Sequence, residues 1–203
     1  LSLSLSETPG FAAPIWPAAG VALGAVLVCR CHVLAGVWLG SLCGNLLWIK
    51  LSAGPPTTAD ALIIAVIGVG AAAQAHIGAR LIRRAIGREV RLTRFDEVLR
   101  FSCLGGAAAC LTSCTIAVGT LLLAGIVQTA DAPLQWMIWW TGETLGVLTV
   151  APLMLVCFAK PLNLWRRRRL SVALPMLVAL TTTVAVYSAT RAESRQAAAE
   201  SYT

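Results

Sequence analysis

A carboxyl group in hydrocarbon is expensive, and this sequence places one there: Glu143 is the only acid well inside a predicted membrane span. At 1.5 Å per helical residue, the seven steps from Trp136 set it roughly 10 Å below the boundary of its span. Asn45, counted back from Leu51, comes to roughly 9 Å by the same arithmetic. Equal depth makes Asn45 the expected hydrogen-bond partner, with Thr141 and Thr149 contributing from the helix of Glu143 itself. Gln74 lies deeper, roughly 20 Å from the same side, and His76 deeper still. Polar residues that descend from one face suit a ligand pocket or a proton path. Glu143, Asn45, Gln74, Trp139, Trp140 and Thr141 are therefore the candidate pocket. The blander alternative is a protonated Glu143 that clamps two helices together.

Other chemistry is poorly supported. Cys29, Cys31 and His32 are close in sequence, but three ligands fall short of a closed zinc site. Cys110 and Cys114 share a helix face with nothing to complete a site, and seven cysteines scattered through apolar runs read as buried thiols. Phosphate loops, catalytic triads and paired carboxylates do not occur, so neither a metal nor a cofactor is expected and the chain is not read as an enzyme. Gly68, Gly70, Gly105 and Gly106, and the GxxxG of Gly36 and Gly40, read as packing positions.

The elements that must position Glu143 follow from hydropathy. The 203 residues are 58% hydrophobic and 12% charged, with mean hydropathy +0.78, which points to a bilayer as solvent. The expected fold is all-α, a polytopic transmembrane helix bundle. Five spans are clear: Phe11–Cys29, Val33–Leu51, Ala61–Ile82, Leu99–Val127 and Trp136–Phe158. A sixth runs from Leu170 to Thr190, and Leu1–Ser6 reads as the end of a truncated earlier one. Residues 1–190 form one integral membrane domain, and 191–203 begin a helix leading to a further, extracytoplasmic domain.

Basic residues set the orientation. Alternating the spans puts Arg30, the seven arginines from Arg80 to Arg100, and Lys160 with Arg166, Arg167, Arg168 and Arg169 on one side; Lys50, Arg191 and Arg195 fall on the other. Thirteen of 16 on one side make that side cytoplasmic. Trp16, Trp48, Trp136, Trp139 and Trp140 gather near the opposite ends of their helices, where indoles favour the interface. The charge of +7 is thus explained by membrane orientation, and no nucleic-acid partner is expected. Ile86–Arg100 alternates apolar and charged residues and reads as a surface-lying amphipathic helix. Arg166–Arg169 are placed to hold anionic lipid.

Three segments carry a family resemblance: WPAAGVALGAVL at Trp16–Leu27, GVWLGSLCGNLLW at Gly36–Trp48, and WWTGETLGVLTVAPLML at Trp139–Leu155. Together they resemble the membrane-associated sensor domain of the first type, an integral membrane input module of bacterial signalling proteins. The specific parts are Trp16, Pro17 and Gly20, and Gly142, Glu143 and Gly146 with the later Pro152. Aspartate is the commoner acid at the position of Glu143. Asp96–Phe101 looks like the family's lead into its next span. The resemblance implies a bacterial inner-membrane, multi-pass protein with covalently attached signalling domains such as a histidine kinase or diguanylate cyclase.

The resulting expectation is a sensory input domain that detects a stimulus, such as a small-molecule ligand, within or beside its helices and biases an output domain. Membrane lipids and a second copy of the chain in a homodimer are the expected partners. A small transporter, or a substrate-binding membrane subunit, is the rival from another class.

Overall fold

A computed structural model describes residues 16–52, 54–87, 90, 92 and 94–158. The chain divides into two compact units, Leu1–Leu155 and Val156–Thr203, and all but three of the described residues belong to the first. Every regular element among the described residues is helical. These are α1 (Pro17–Cys29), a 3-10 turn (Arg30–Val33), α2 (Leu34–Ser52), α3 (Thr58–Ala85), α4 (Phe95–Phe101), a π-helical turn (Ser102–Ala108), α5 (Ala109–Leu123) and α6 (Ala132–Phe158). Four stretches are long and apolar enough to cross a membrane: α2, α3, the continuous rod Phe95–Leu123 and α6; α1 is a shorter apolar helix. The four correspond to the expected spans Val33–Leu51, Ala61–Ile82, Leu99–Val127 and Trp136–Phe158, and α1 to the described part of Phe11–Cys29. The sixth span, Leu1–Ser6, Arg166–Arg169 and the 191–203 tail lie outside the described residues.

The helix ends show where hydropathy misjudges boundaries. α3 begins before its expected Ala61 because Thr57 and Asp60 form a reciprocal capping box: the Thr57 amide donates to Asp60 Oδ2 at 2.8 Å, and the Asp60 amide donates to Thr57 Oγ1 at 3.2 Å. α5 stops before its expected Val127 because Gly125 adopts φ +69°. There the Ile126 amide reaches back to the Leu121 carbonyl and the Gly125 amide to that of Leu122, both at 3.0 Å, which is a Schellman stop. The expected amphipathic helix over Ile86–Arg100 is not formed as one piece. Gly87 at φ +113° and Leu92 at φ +48° turn the chain, and helix resumes only at Phe95, where it leads straight into the next span.

α3 packs against α1, α2 and α5. Its buried face carries Ile64, Ile67, Gly68, Gln74, Gly78 and Ile82. Trp38 of α2 fills the notch at Gly68, and its indole N–H donates to the Ala65 carbonyl at 2.9 Å. Rod and helix meet at the π turn, where a Cβ on Gly105 would lie 2.6 Å from Ile82 Cδ1, and one on Gly106 3.1 Å from Leu148 Cδ2. The wide turn is thereby wedged between α3 and α6.

The closest approach is between α1 and α6. Gly20 faces Gly146 and Val150, and Gly24 faces Ala151 and Met154, so residue numbers rise together and the two helices run parallel. The Trp16 amide donates to the Gly142 carbonyl at 2.9 Å. A Cβ on Gly146 would run into the Trp16 carbonyl, and one on Gly20 into the Gly146 carbonyl. Gly20 and Gly146 thus let two backbones touch, which in lipid is a main source of helix association.

This contact yields a comparison. Gly146→Ala must displace a backbone rather than a side chain and is expected to cost at least about 1–3 kcal/mol, the usual range for overpacking. Gly36→Ala, whose Cβ would have open space, is expected to be neutral or stabilising. Thermal denaturation of both variants in detergent decides it, and equal midpoints would refute the close contact.

Candidate functional site

Glu143 sits one turn into the face of α6 that Trp136, Trp139 and Trp140 begin, since residues three and four apart share a helix face. It is buried, at 3% exposure. Its Oε1 accepts two hydrogen bonds, from Ser113 Oγ at 2.8 Å and from Trp139 Nε1 at 3.0 Å. Its Oε2 is equally enclosed and has no hydrogen-bond partner among the described residues; the same is true of Thr144 Oγ1. Cys110 and Cys114 lie within electrostatic reach of the carboxyl.

α5 presents this partner surface because Cys110, Ser113 and Cys114, at spacings of three and four, fall on its buried stripe. Gln74 comes to the same stripe from α3: it is buried and donates through Nε2 to Cys110 Sγ at 3.0 Å. The interior polar groups thus form a short chain across three helices, with Gln74 on α3, Cys110 and Ser113 on α5, and Glu143 on α6. Next to it, Ile67, Ala117 and Leu121 form an apolar cluster against which Ile63, Val127 and the Trp139 ring pack.

The other indoles of α6 also point their N–H groups into protein. Trp140 Nε1 donates to the Ala107 carbonyl of the π turn at 2.9 Å, and Trp136 Nε1 to Thr115 Oγ1 at 3.2 Å, with the Trp136 and Trp140 rings stacked at 6.1 Å. Trp136 and Trp140 therefore tie α6 to the Phe95–Leu123 rod by hydrogen bonds, while Trp139 donates to Glu143 of its own helix and packs its ring on the cluster that includes Ala117 and Leu121. Trp16 and Trp48 do keep exposed faces.

Several expected site residues are placed elsewhere. Asn45 does not reach Glu143: its amide donates to the Ser41 carbonyl of its own helix at 2.8 Å, and α2 packs against α3. Equal expected depth along two helices does not say which helices are neighbours. Thr141 is exposed and bonds back to the Met137 and Ile138 carbonyls, and Thr149 bonds back to Leu145. Both are local helix contacts of the usual hydroxyl kind. Ser113 was missed because LTSCT offers three hydroxyls in a row, and only burial selects the middle one.

The motif residues converge. Trp16, Pro17 and Gly20 on α1 dock on Gly142 and Gly146 of α6, on either side of Glu143 in the chain. Pro17 occupies the first helical position of α1, where its missing N–H costs nothing. Pro152 lies within α6 and leaves the Leu148 carbonyl without its usual donor.

A bundle of apolar helices with a buried acid hydrogen-bonded between two of them defines a polytopic membrane domain. The MASE1 family model matches residues 1–197, and the chain belongs to that family. MASE1 domains are membrane sensory input domains of signalling proteins, found in histidine kinases and diguanylate cyclases. Comparison with curated proteins and with solved structures found no match.

The geometry predicts a double-mutant cycle. Ser113→Ala paired with Glu143→Ala should give a coupling of about 0.6–2 kcal/mol, the range for interhelical hydrogen bonds in membranes. Asn45→Ala paired with Glu143→Ala should be additive within about 0.5 kcal/mol. The reverse pattern, measured by thermal or denaturant unfolding in detergent, would place Asn45 at the acid after all.

Proposed function

We propose that the domain detects its stimulus at Glu143, and that the junction of α6 with α5 transmits the change to an attached output domain. One observation carries this: a buried carboxyl whose Oε1 holds one donor from α5, Ser113, and one from its own helix, Trp139, while Oε2 holds none among the described residues. A proton, or a small ligand offering a hydrogen-bond donor, has a defined atom on which to act. Either would alter how strongly Ser113 and Trp139 are held.

Magnitudes limit how this can work. One interhelical hydrogen bond in a membrane is worth roughly 0.6–2 kcal/mol, which moves a two-state ratio by roughly three- to thirtyfold. Inverting a population from 1:99 to 99:1 needs about 10⁴-fold. Ser113 is the one donor to Oε1 that crosses between helices and alone is too little; repacking of the Trp139 ring, which packs on the cluster of Ile67, Ala117 and Leu121, brings the total closer. The π turn is the natural place for the rod to yield, because such turns interrupt regular helix pairing and this one is steadied by Trp140.

In this reading the output domain is of the histidine kinase or diguanylate cyclase type, the protein is a homodimer of the bacterial inner membrane, and the Arg-rich end is cytoplasmic. Gly36, Gly40 and Gly44 on the open side of α2 suit close approach of a second copy. Asn45 and Thr141 leave the pocket; Gln74, Trp139 and Trp140 stay with Glu143.

The test is Glu143→Gln in the full-length protein, which keeps the shape and removes the ionisable proton. Normal membrane abundance and melting temperature with a locked or silent output are expected. A lowered melting temperature with an intact response would make Glu143 a structural clamp and sink the proposal.

A further inference from the structure

Five arginines have described side chains, and they divide by what they hold. Arg83 Nη2 donates to the Val26 and Leu27 carbonyls at the end of α1, at 2.8 and 3.2 Å. Arg100 Nη1 donates to the Ala85 carbonyl that ends α3, at 2.8 Å, and Arg94 pairs with Asp96 at 3.1 Å. Arg80 and Arg84 are exposed and make no ion pair or hydrogen bond with described residues.

Their position on α3 is specific. At 100° per residue, the exposed apolar residues Leu62, Val66, Val69 and Ile77 fall within roughly 80° of one another, and Arg80 and Arg84 fall on the same stripe. The buried face with Ile64, Ala75, Gly78 and Ile82 is opposite. Leu62 to Ile77 covers roughly 22 Å, Arg80 stands roughly 27 Å from Leu62 and Arg84 roughly 33 Å. A hydrocarbon core is about 30 Å thick. One unbroken lipid-facing stripe therefore ends in two guanidinium groups at headgroup level, a turn apart and on one face, where their apolar stems can lie along acyl chains.

We propose that Arg80 and Arg84 form a binding site for the phosphate of an anionic phospholipid at the Arg-rich end of α3. Guanidinium groups match phosphate oxygens in pairs of parallel hydrogen bonds. Asp96, on the helix that Arg100 ties to the end of α3, pairs with Arg94 and lies 3.9 Å from Arg100. Apolar surface adjoins the site, since Arg100 ties α4 to the end of α3 and the same short helix exposes Phe95, Val98 and Leu99. The site is separate from Glu143, but it sits on the helix that carries Gln74 to the polar chain.

Native mass spectrometry tests it. The full chain is released from micelles holding equal phosphatidylglycerol and phosphatidylcholine with the same acyl chains, and the retained lipids are counted. Each arginine near an anionic surface contributes about fivefold, so R80Q/R84Q should retain the anionic lipid on the order of 20-fold less selectively than the unmodified chain. R80K/R84K should keep most of the preference. The melting temperature of R80Q/R84Q in phosphatidylcholine alone should match that of the unmodified chain; if that variant does not fold, the single variants R80Q and R84Q should each show about a fivefold loss. Unchanged selectivity in the glutamine variants overturns the proposal. So does displacement of the bound lipid by millimolar glycerol phosphate, which would identify a site for soluble anions.

Discussion

The carbonyl of Trp16 rests over the backbone of Gly146 while its amide donates to Gly142, and the helix that carries Glu143 is positioned by this contact. It needs no side chain, only two residues that lack one, and it holds α1 against α6 at backbone distance. Glu143 lies in the chain between those glycines. With the backbone of α6 held on one side by α1, the side chain of Glu143 is directed to the other, where α5 presents Ser113.

The opposite end of the bundle follows from helix dipoles. α1 and α3 both finish at the Arg-rich end, where their last carbonyls lack intrahelical donors. Arg83 supplies donors to the first and Arg100 to the second. The charge asymmetry that orients the chain in the membrane therefore also closes two helix ends. The same arginine count covers three physical roles, since Arg94 serves Asp96 and Arg80 and Arg84 face outward.

Between these ends runs the π turn, with Gly105 and Gly106 under Ile82 and Leu148 and with Trp140 bonded to the Ala107 carbonyl. A rod of 29 residues without such a turn would carry α4 and α5 as one rigid cylinder. Along it, Arg100 of α4 bonds the last carbonyl of α3, and Ser113 of α5 bonds Glu143. Membership of the MASE1 family gives this division a use, because a sensory input domain must turn a local change into movement at a distant end.

The sequence by itself determined the all-helical membrane class, the four long apolar helices, the crowding of arginines from Arg80 to Arg100 and the family. All of these follow from one-dimensional quantities, hydropathy summed along a helix and charge counted per loop. Only the tertiary structure decided which helices are neighbours. Asn45 and Glu143 share an expected depth yet belong to helices with different partners, while Ser113, one hydroxyl among three, became the ligand of the acid because its face of α5 is the buried one. Likewise the tryptophan and glycine motifs could be read in the chain, but not that each fits the other. Depth is a property of one helix and its solvent; contact is a property of two, fixed by where small residues let backbones meet.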